Sequence, residues 1–151
     1  MLTYLSPPSF ITFDFFSLKT ALKRAFSHAT KISKEKSFKS LSKLDKEFIE
    51  KIETTISTNI DKVLYGVNDL ADEMCLSNSQ LTRKIKALIN QTPAALIKTA
   101  RIEKAKELIR EGYSVAEVAW KVGYEDPGYF SKAFKKVVKK SPSKFREESM
   151  K

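Results

Sequence analysis

From residue 41 onward, apolar positions recur three and four residues apart, the spacing of one helix face, and no alternating strand pattern competes. Phe48, Ile49, Ile52, Ile56 and Ile60 predict an amphipathic helix over roughly 45–60. Polar residues mark where further helices begin. SNSQ at 77–80 and SVAE at 114–117 are capping boxes, in which the serine hydroxyl and the Gln or Glu side chain satisfy free amide groups reciprocally. Thr92-Pro93, Asp126-Pro127 and Ser141-Pro142 each set a capping residue before a proline, which lacks only an N–H that has no partner at that position. Gly66, Gly112 and Gly123 fall at the joints between these signals. The expected fold class is all-α.

An internal repeat organises these helices. Leu70, Ala71, Met74, Cys75 and Leu76 match Val118, Ala119, Val122, Gly123 and Tyr124, 48 residues on. A capped helix follows each copy, with inward positions predicted at Leu81, Ile85 and Leu88 and at Phe130, Phe134 and Val137. Each copy thus reads as helix, tight turn, helix. The alanine lets the second helix cross closely, and a small residue at the turn admits a left-handed backbone. Between the copies a helix is predicted from Pro93 to about Arg110, with Leu96, Ile97, Ala100, Ile102, Ala105, Leu108 and Ile109 spread over more than one face. Spacing alone leaves a generic pair of helical hairpins as an alternative.

The first forty residues differ. Residues 10–18 (FITFDFFSL) are apolar and aromatic but interrupted by Asp14, and they lack the positive start and small-residue cleavage site of a secretory signal. An amphipathic membrane contact remains an alternative for them. Leu18, Leu22, Ala25, Phe26 and Ala29 allow a short helix, and the Ser/Lys-rich residues 31–40 read as a linker. The expected division is an N-terminal extension and linker over 1–40, of unknown role, and a helical domain over 41–151.

Composition narrows the chemistry. With 151 residues and 42% apolar composition the chain can bury a core, and no apolar run approaches the roughly 18–20 residues a membrane span requires. One cysteine and one histidine exclude an internal disulfide, a cysteine-based zinc cluster and a histidine-based catalytic centre, so no metal, no cofactor and no enzymatic activity are expected. Cys75 is expected to be a buried small residue, Trp120 a packing residue, and His28 an exposed side chain. The net charge of +10 is unevenly placed. Residues 41–151 hold 21 basic and 16 acidic groups, yet the stretch 78–90 carries Arg83, Lys84 and Lys86 with no acid. Likewise 131–140 carries Lys132, Lys135, Lys136, Lys139 and Lys140 with none. Two basic helices in a balanced body are what a phosphate-facing surface requires, so the expected partner is nucleic acid.

The second copy, SVAEVAWKVGYEDPGYFSKAFKKVVKKSPSKFR (114–146), strongly resembles the signature of the AraC/XylS family of transcription regulators. The upstream copy LADEMCLSNSQLTRKIKAL (70–88) and the connecting TPAALIKTARIEKAKELI (92–109) fit the same family, so the resemblance spans roughly 45–147. Two departures stand out: Cys75 replaces the usual turn glycine, and Lys140 stands where a glycine is common before Ser-Pro. The resemblance implies a seven-helix, homeodomain-like arrangement. One long helix (about 92–111) joins two helix-turn-helix subdomains (about 67–90 and 114–139). It further implies a bacterial, cytoplasmic, sequence-specific regulator of transcription that binds double-stranded DNA, with RNA polymerase as a partner and a monomeric DNA-binding domain. The helix at 44–60 also resembles the segment that precedes this domain in hybrid two-component regulators. The chain is then either the output end of a longer regulator or a short stand-alone member.

Resemblance and helical phase together place Asn78, Ser79, Thr82, Arg83 and Lys86 outward in the first unit, and Gly128, Ser131, Lys132 and Lys135 in the second. Arg83 suits a bidentate pair to guanine, Asn78 an adenine and Thr82 a thymine methyl. Lysines and a glycine carry little sequence information. The first unit is therefore expected to discriminate sequence and the second to anchor.

Overall fold

A computed structural model of the chain describes residues 41–151. The helix suggested around residues 18–29, the apolar segment 10–18, the linker 31–40 and His28 lie outside the described residues. The rest is seven helices without a strand: α1 (Lys43–Asn59), α2 (Val67–Glu73), α3 (Asn78–Ile89), α4 (Pro93–Arg110), α5 (Val115–Lys121), α6 (Pro127–Val138) and α7 (Pro142–Ser149). Every helix but α2 begins at a side-chain cap. At α2, Asp69 reaches back to accept from the Gly66 amide at 2.8 Å.

The apolar stripes close two cores. Ile49, Ile52 and Ile56 of α1 meet Leu70 and Ala71 of α2, Leu81 and Ile85 of α3, and Leu96, Ile97 and Ala100 of α4. The second core joins Ile102, Ala105, Leu108 and Ile109 of α4 to Val118 and Ala119 of α5 and to Phe130, Ala133 and Phe134 of α6. Helix α4 thus serves both cores from roughly opposite faces, which explains why its apolar residues have no single stripe. The second core is aromatic: ring centroids run from Tyr124 to Phe130 (5.4 Å), Phe134 (5.8 Å) and Phe145 (5.5 Å).

Both helix-turn-helix joints use the same backbone device. Ala71 and Ala119 are buried at the crossings, and the next joint residues, Cys75 (φ 58°) and Gly123 (φ 82°), are left-handed. The amides of Leu76 and Tyr124 then return to the carbonyls of Ala71 (2.9 Å) and Ala119 (2.8 Å), satisfying orphan carbonyls at the helix end. Helix α5 follows α2 by 48 residues but α6 follows α3 by 49, so the second turn is one residue longer.

Four expectations need correction. Cys75 is exposed, not buried, because its left-handed backbone turns the side chain out of the crossing. Trp120 is 60% exposed: Val118, Ala119 and Val122 fill the core side of α5 and leave the indole outside, donating to the Glu125 carbonyl at 3.3 Å. In α6 the third inward residue is Val138, while Val137 is 39% exposed, since the turn after Phe134 continues at a four-residue step. The left-handed position before Ser141 is Lys139 (φ 67°), so the glycine-favouring site is 139 and not 140.

Candidate nucleic-acid interface

The face of α3 opposite Leu81, Ile85 and Ile89 carries Ser79, Arg83 and Lys86, all exposed and set at steps of four and three residues. Thr82 flanks this stripe, half-buried, and Asn78 is exposed in the first turn. On α6 the stripe is Gly128, Lys132 and Lys135, all exposed, with Ser131 half-buried beside it. A shift of 49 residues superimposes one stripe on the other: Ser79 on Gly128, Thr82 on Ser131, Arg83 on Lys132, Lys86 on Lys135. Tertiary structure therefore gives both helices the same presented register, although the side chains differ at every pair but Lys86 and Lys135.

The first turns of both helices are firmly held. The Ser77 hydroxyl accepts from the Gln80 amide at 3.2 Å, and the Gln80 side chain accepts from the Ser77 amide at 3.0 Å. Asp126 accepts from the amides of Gly128 (3.1 Å) and Tyr129 (3.0 Å). Such caps fix the N-terminal ends of both helices. The Asn78 carboxamide donates to the Asn68 side chain on α2, which ties the first turn of α3 to α2.

Some lysines outside this face are paired. Lys104 and Lys106 of α4 pair with Glu107 (3.1 Å) and Glu103 (2.6 Å). Lys140 pairs with Glu148, whose carboxyl it holds below the usual carboxylate range, so this lysine of the basic run is engaged within the protein. Lys84 turns away from the stripe and lies 4.1 Å from the Phe48 ring centroid on α1. Among the described residues, none of Arg83, Lys86, Lys132, Lys135 and Lys136 has an acidic partner within 4 Å. Neither α3 nor α6 contains an acid. What sets α3 and α6 apart is that their outward basic groups stand on helices that contain no acid.

Two further residues share the α6 face. Lys136 is exposed beside Lys132, and Tyr129 is 65% exposed in the first turn, its ring 5.9 Å from that of Tyr124. Helical phase alone would have found both, since they flank the centre of the outward face. Among the described residues no group of three or more His, Cys, Asp and Glu side chains can hold a metal ion, and no helix is long and apolar enough to cross a membrane.

Comparison with known proteins places this geometry. The sequence profile described as a helix-turn-helix domain matches residues 70–148. A putative AraC-like transcription regulator of Streptomyces lividans is 38% identical over 84 residues, covering 55% of this chain and 28% of that protein. Histidine kinase P4 of Formosa agariphila is 29% identical over 126 residues, covering 83% of this chain and 9% of that protein. The chain therefore spans only a small part of these relatives. Among solved structures, the C-terminal domain of AraT, a response regulator from Geobacillus stearothermophilus, is 28% identical with a TM-score of 0.64. That similarity covers 72% of this chain and 87% of the other. With seven helices among its described residues, its duplicated turn and these relatives, the chain belongs to the AraC-type helix-turn-helix family of DNA-binding transcription regulators.

Proposed function

We propose that the chain binds double-stranded DNA sequence-specifically by setting α3 and α6 into successive major-groove segments on one side of the duplex. The observation that carries this reading is the pair of equivalent outward stripes whose basic groups lack acidic partners and stand on helices that contain no acid. On this reading Arg83, Asn78 and Thr82 read base edges, with Ser79 and Lys86 beside them. Lys132 and Lys135 grip phosphates, and Gly128 and Ser131 let the backbone come close. The first unit discriminates and the second anchors. The domain acts as a monomer, in the cytoplasm, with RNA polymerase as its partner at the promoter. The likeness to a response-regulator C-terminal domain supports its serving as the output segment of a two-component-type regulator.

Titration of a labelled duplex across salt tests the reading. If the two helices meet the backbone at about 6–10 phosphates, affinity falls roughly 10³–10⁵-fold between about 50 and 200 mM salt through counterion release. A flat response would remove the DNA-binding proposal.

A further inference from the structure

Arg101 lies on α4 between the two cores: Ala100 closes the first and Ile102 opens the second. Its side chain does not simply cover α4. The guanidinium Nη2 donates to the carbonyls of Lys62 (3.0 Å) and Tyr65 (3.1 Å), both in the loop that leads from α1 into α2. The same guanidinium sits 5.6 Å from the centroid of Tyr124, in the turn between α5 and α6. That turn comes unusually close. A Cβ added at Gly123 would stand 2.7 Å from the Ile60 carbonyl oxygen and 3.0 Å from Arg101 Cζ, and φ at Gly123 is +82°. A loop of the first unit, the turn of the second and the connecting helix therefore converge on one partly buried cation.

We infer that Arg101, with Gly123 beside it, is the positioning residue that fixes the relative orientation of the two helix-turn-helix units, and through it the register of α3 and α6 on DNA. The consequence for DNA rests on the function proposed above. The helix alone sets how far apart the units stand along its axis, but it leaves each free to rock about the packing of its own core. Two hydrogen bonds to the α1–α2 loop and the face of Tyr124 tie the two units to one guanidinium and oppose that rocking. Arg146 does the corresponding work within the second unit, donating from α7 to the carbonyls of Gly112 (2.7 Å) and Tyr113 (2.6 Å) ahead of α5. Arg101 differs in that its contacts cross from one unit to the other.

The test uses the full chain with Cys75→Ser, and spin labels at Lys51→Cys on α1 and Ser143→Cys on α7, two exposed positions away from both outward stripes. Pulsed dipolar spectroscopy on the free protein should give a narrow distance distribution. Arg101→Met should broaden it at least about twofold, and Arg101→Lys, which keeps a donor, should fall between. If Arg101→Met fails to fold by circular dichroism, Gly123→Ala decides instead, by shifting or broadening the distribution as the turn is pushed off the Ile60 carbonyl. An unchanged distribution in the folded variant overturns the inference. A second arm uses a duplex selected from a random pool by the parent chain. One base pair inserted between its half-sites should cost the parent roughly tenfold or more in affinity and Arg101→Met less than about threefold. Equal losses would overturn the inference, whereas failure of the parent to bind any duplex would sink the DNA reading and leave the distance measurement to decide Arg101.

Discussion

Of the four equivalent pairs on α3 and α6, only Lys86 and Lys135 are alike. Arg83 presents a planar fork that matches the two acceptors of guanine, while Lys132 at the corresponding place on α6 is a point charge. On the proposed reading, Arg83→Ala costs about 1–3 kcal/mol of binding and relaxes base preference at one position. Lys135→Ala instead weakens all duplexes about equally and shallows the salt slope by about one unit. Binding measured on single-base variants of a selected duplex separates the two, and a changed preference with Lys135→Ala alone would exchange the roles of the units. Cys75 makes a different residue-scale argument. A left-handed backbone at φ 58° costs an L-residue with a Cβ about 1–2 kcal/mol, and the exposed thiol gains no packing in return. Cys75→Gly should therefore raise the melting temperature modestly, the gain reduced by the larger unfolded-state entropy of glycine. A fall of several degrees in a calorimetric scan would refute the strain argument.

At the scale of elements, the joint between α1 and α2 is held by polar groups as much as by apolar ones. The buried Asn59 side chain donates to the Thr55 carbonyl (2.8 Å) and to the Glu73 carboxylate, and accepts from Lys62 (2.5 Å). Tyr65 is buried in the same joint, and burial together with the nearby Glu73 and Asp69 carboxylates pushes its phenol up to about 12. The folded protein therefore keeps this proton at a pH where the unfolded chain, near the ordinary tyrosine value of about 10, releases it. Stability owed to neutral Tyr65 is complete below about pH 10 and is lost as pH rises towards about 12. Denaturant unfolding across that window should show a fall that Tyr65→Phe diminishes. Tyr124, also raised by burial, accounts for part of what remains. Identical alkaline profiles for the two proteins would mean that Tyr65 ionises without cost. The caps belong to this scale too, because Ser77, Thr92, Ser114, Asp126 and Ser141 each stop a chain segment and start a helix with local bonds alone.

For the whole molecule, the 18 residues of α4 set the reach. At about 1.5 Å per residue the helix is roughly 27 Å long, against about 34 Å for one turn of DNA, and on the proposed reading it lets one chain address two successive grooves on one side of a duplex. Five extra base pairs between half-sites should abolish the second unit's contribution by moving its groove to the far side. About ten or eleven should not restore it, because a packed helix cannot lengthen by a DNA turn. Full recovery in a binding assay with the longer spacer would require a flexible tether or a dimer. Much of this architecture is local and hence legible in the sequence: caps, left-handed joints and apolar spacing act through bonds between residues at most a few positions apart. They specified an all-helical chain, a repeated helix-turn-helix and the outward stripes of α3 and α6. Spacing could not choose between a three- and a four-residue step at the end of α6, and so it turned Val137 inward where Val138 packs. Nor could it tell that a short α5 fills its core with Val118 and Ala119 and leaves Trp120 outside. The division of α4 between two cores and the convergence of the Lys62–Tyr65 loop, Arg101 and Gly123 were decided only by tertiary structure. Those contacts join residues tens of positions apart, and no local pattern encodes which of them meet.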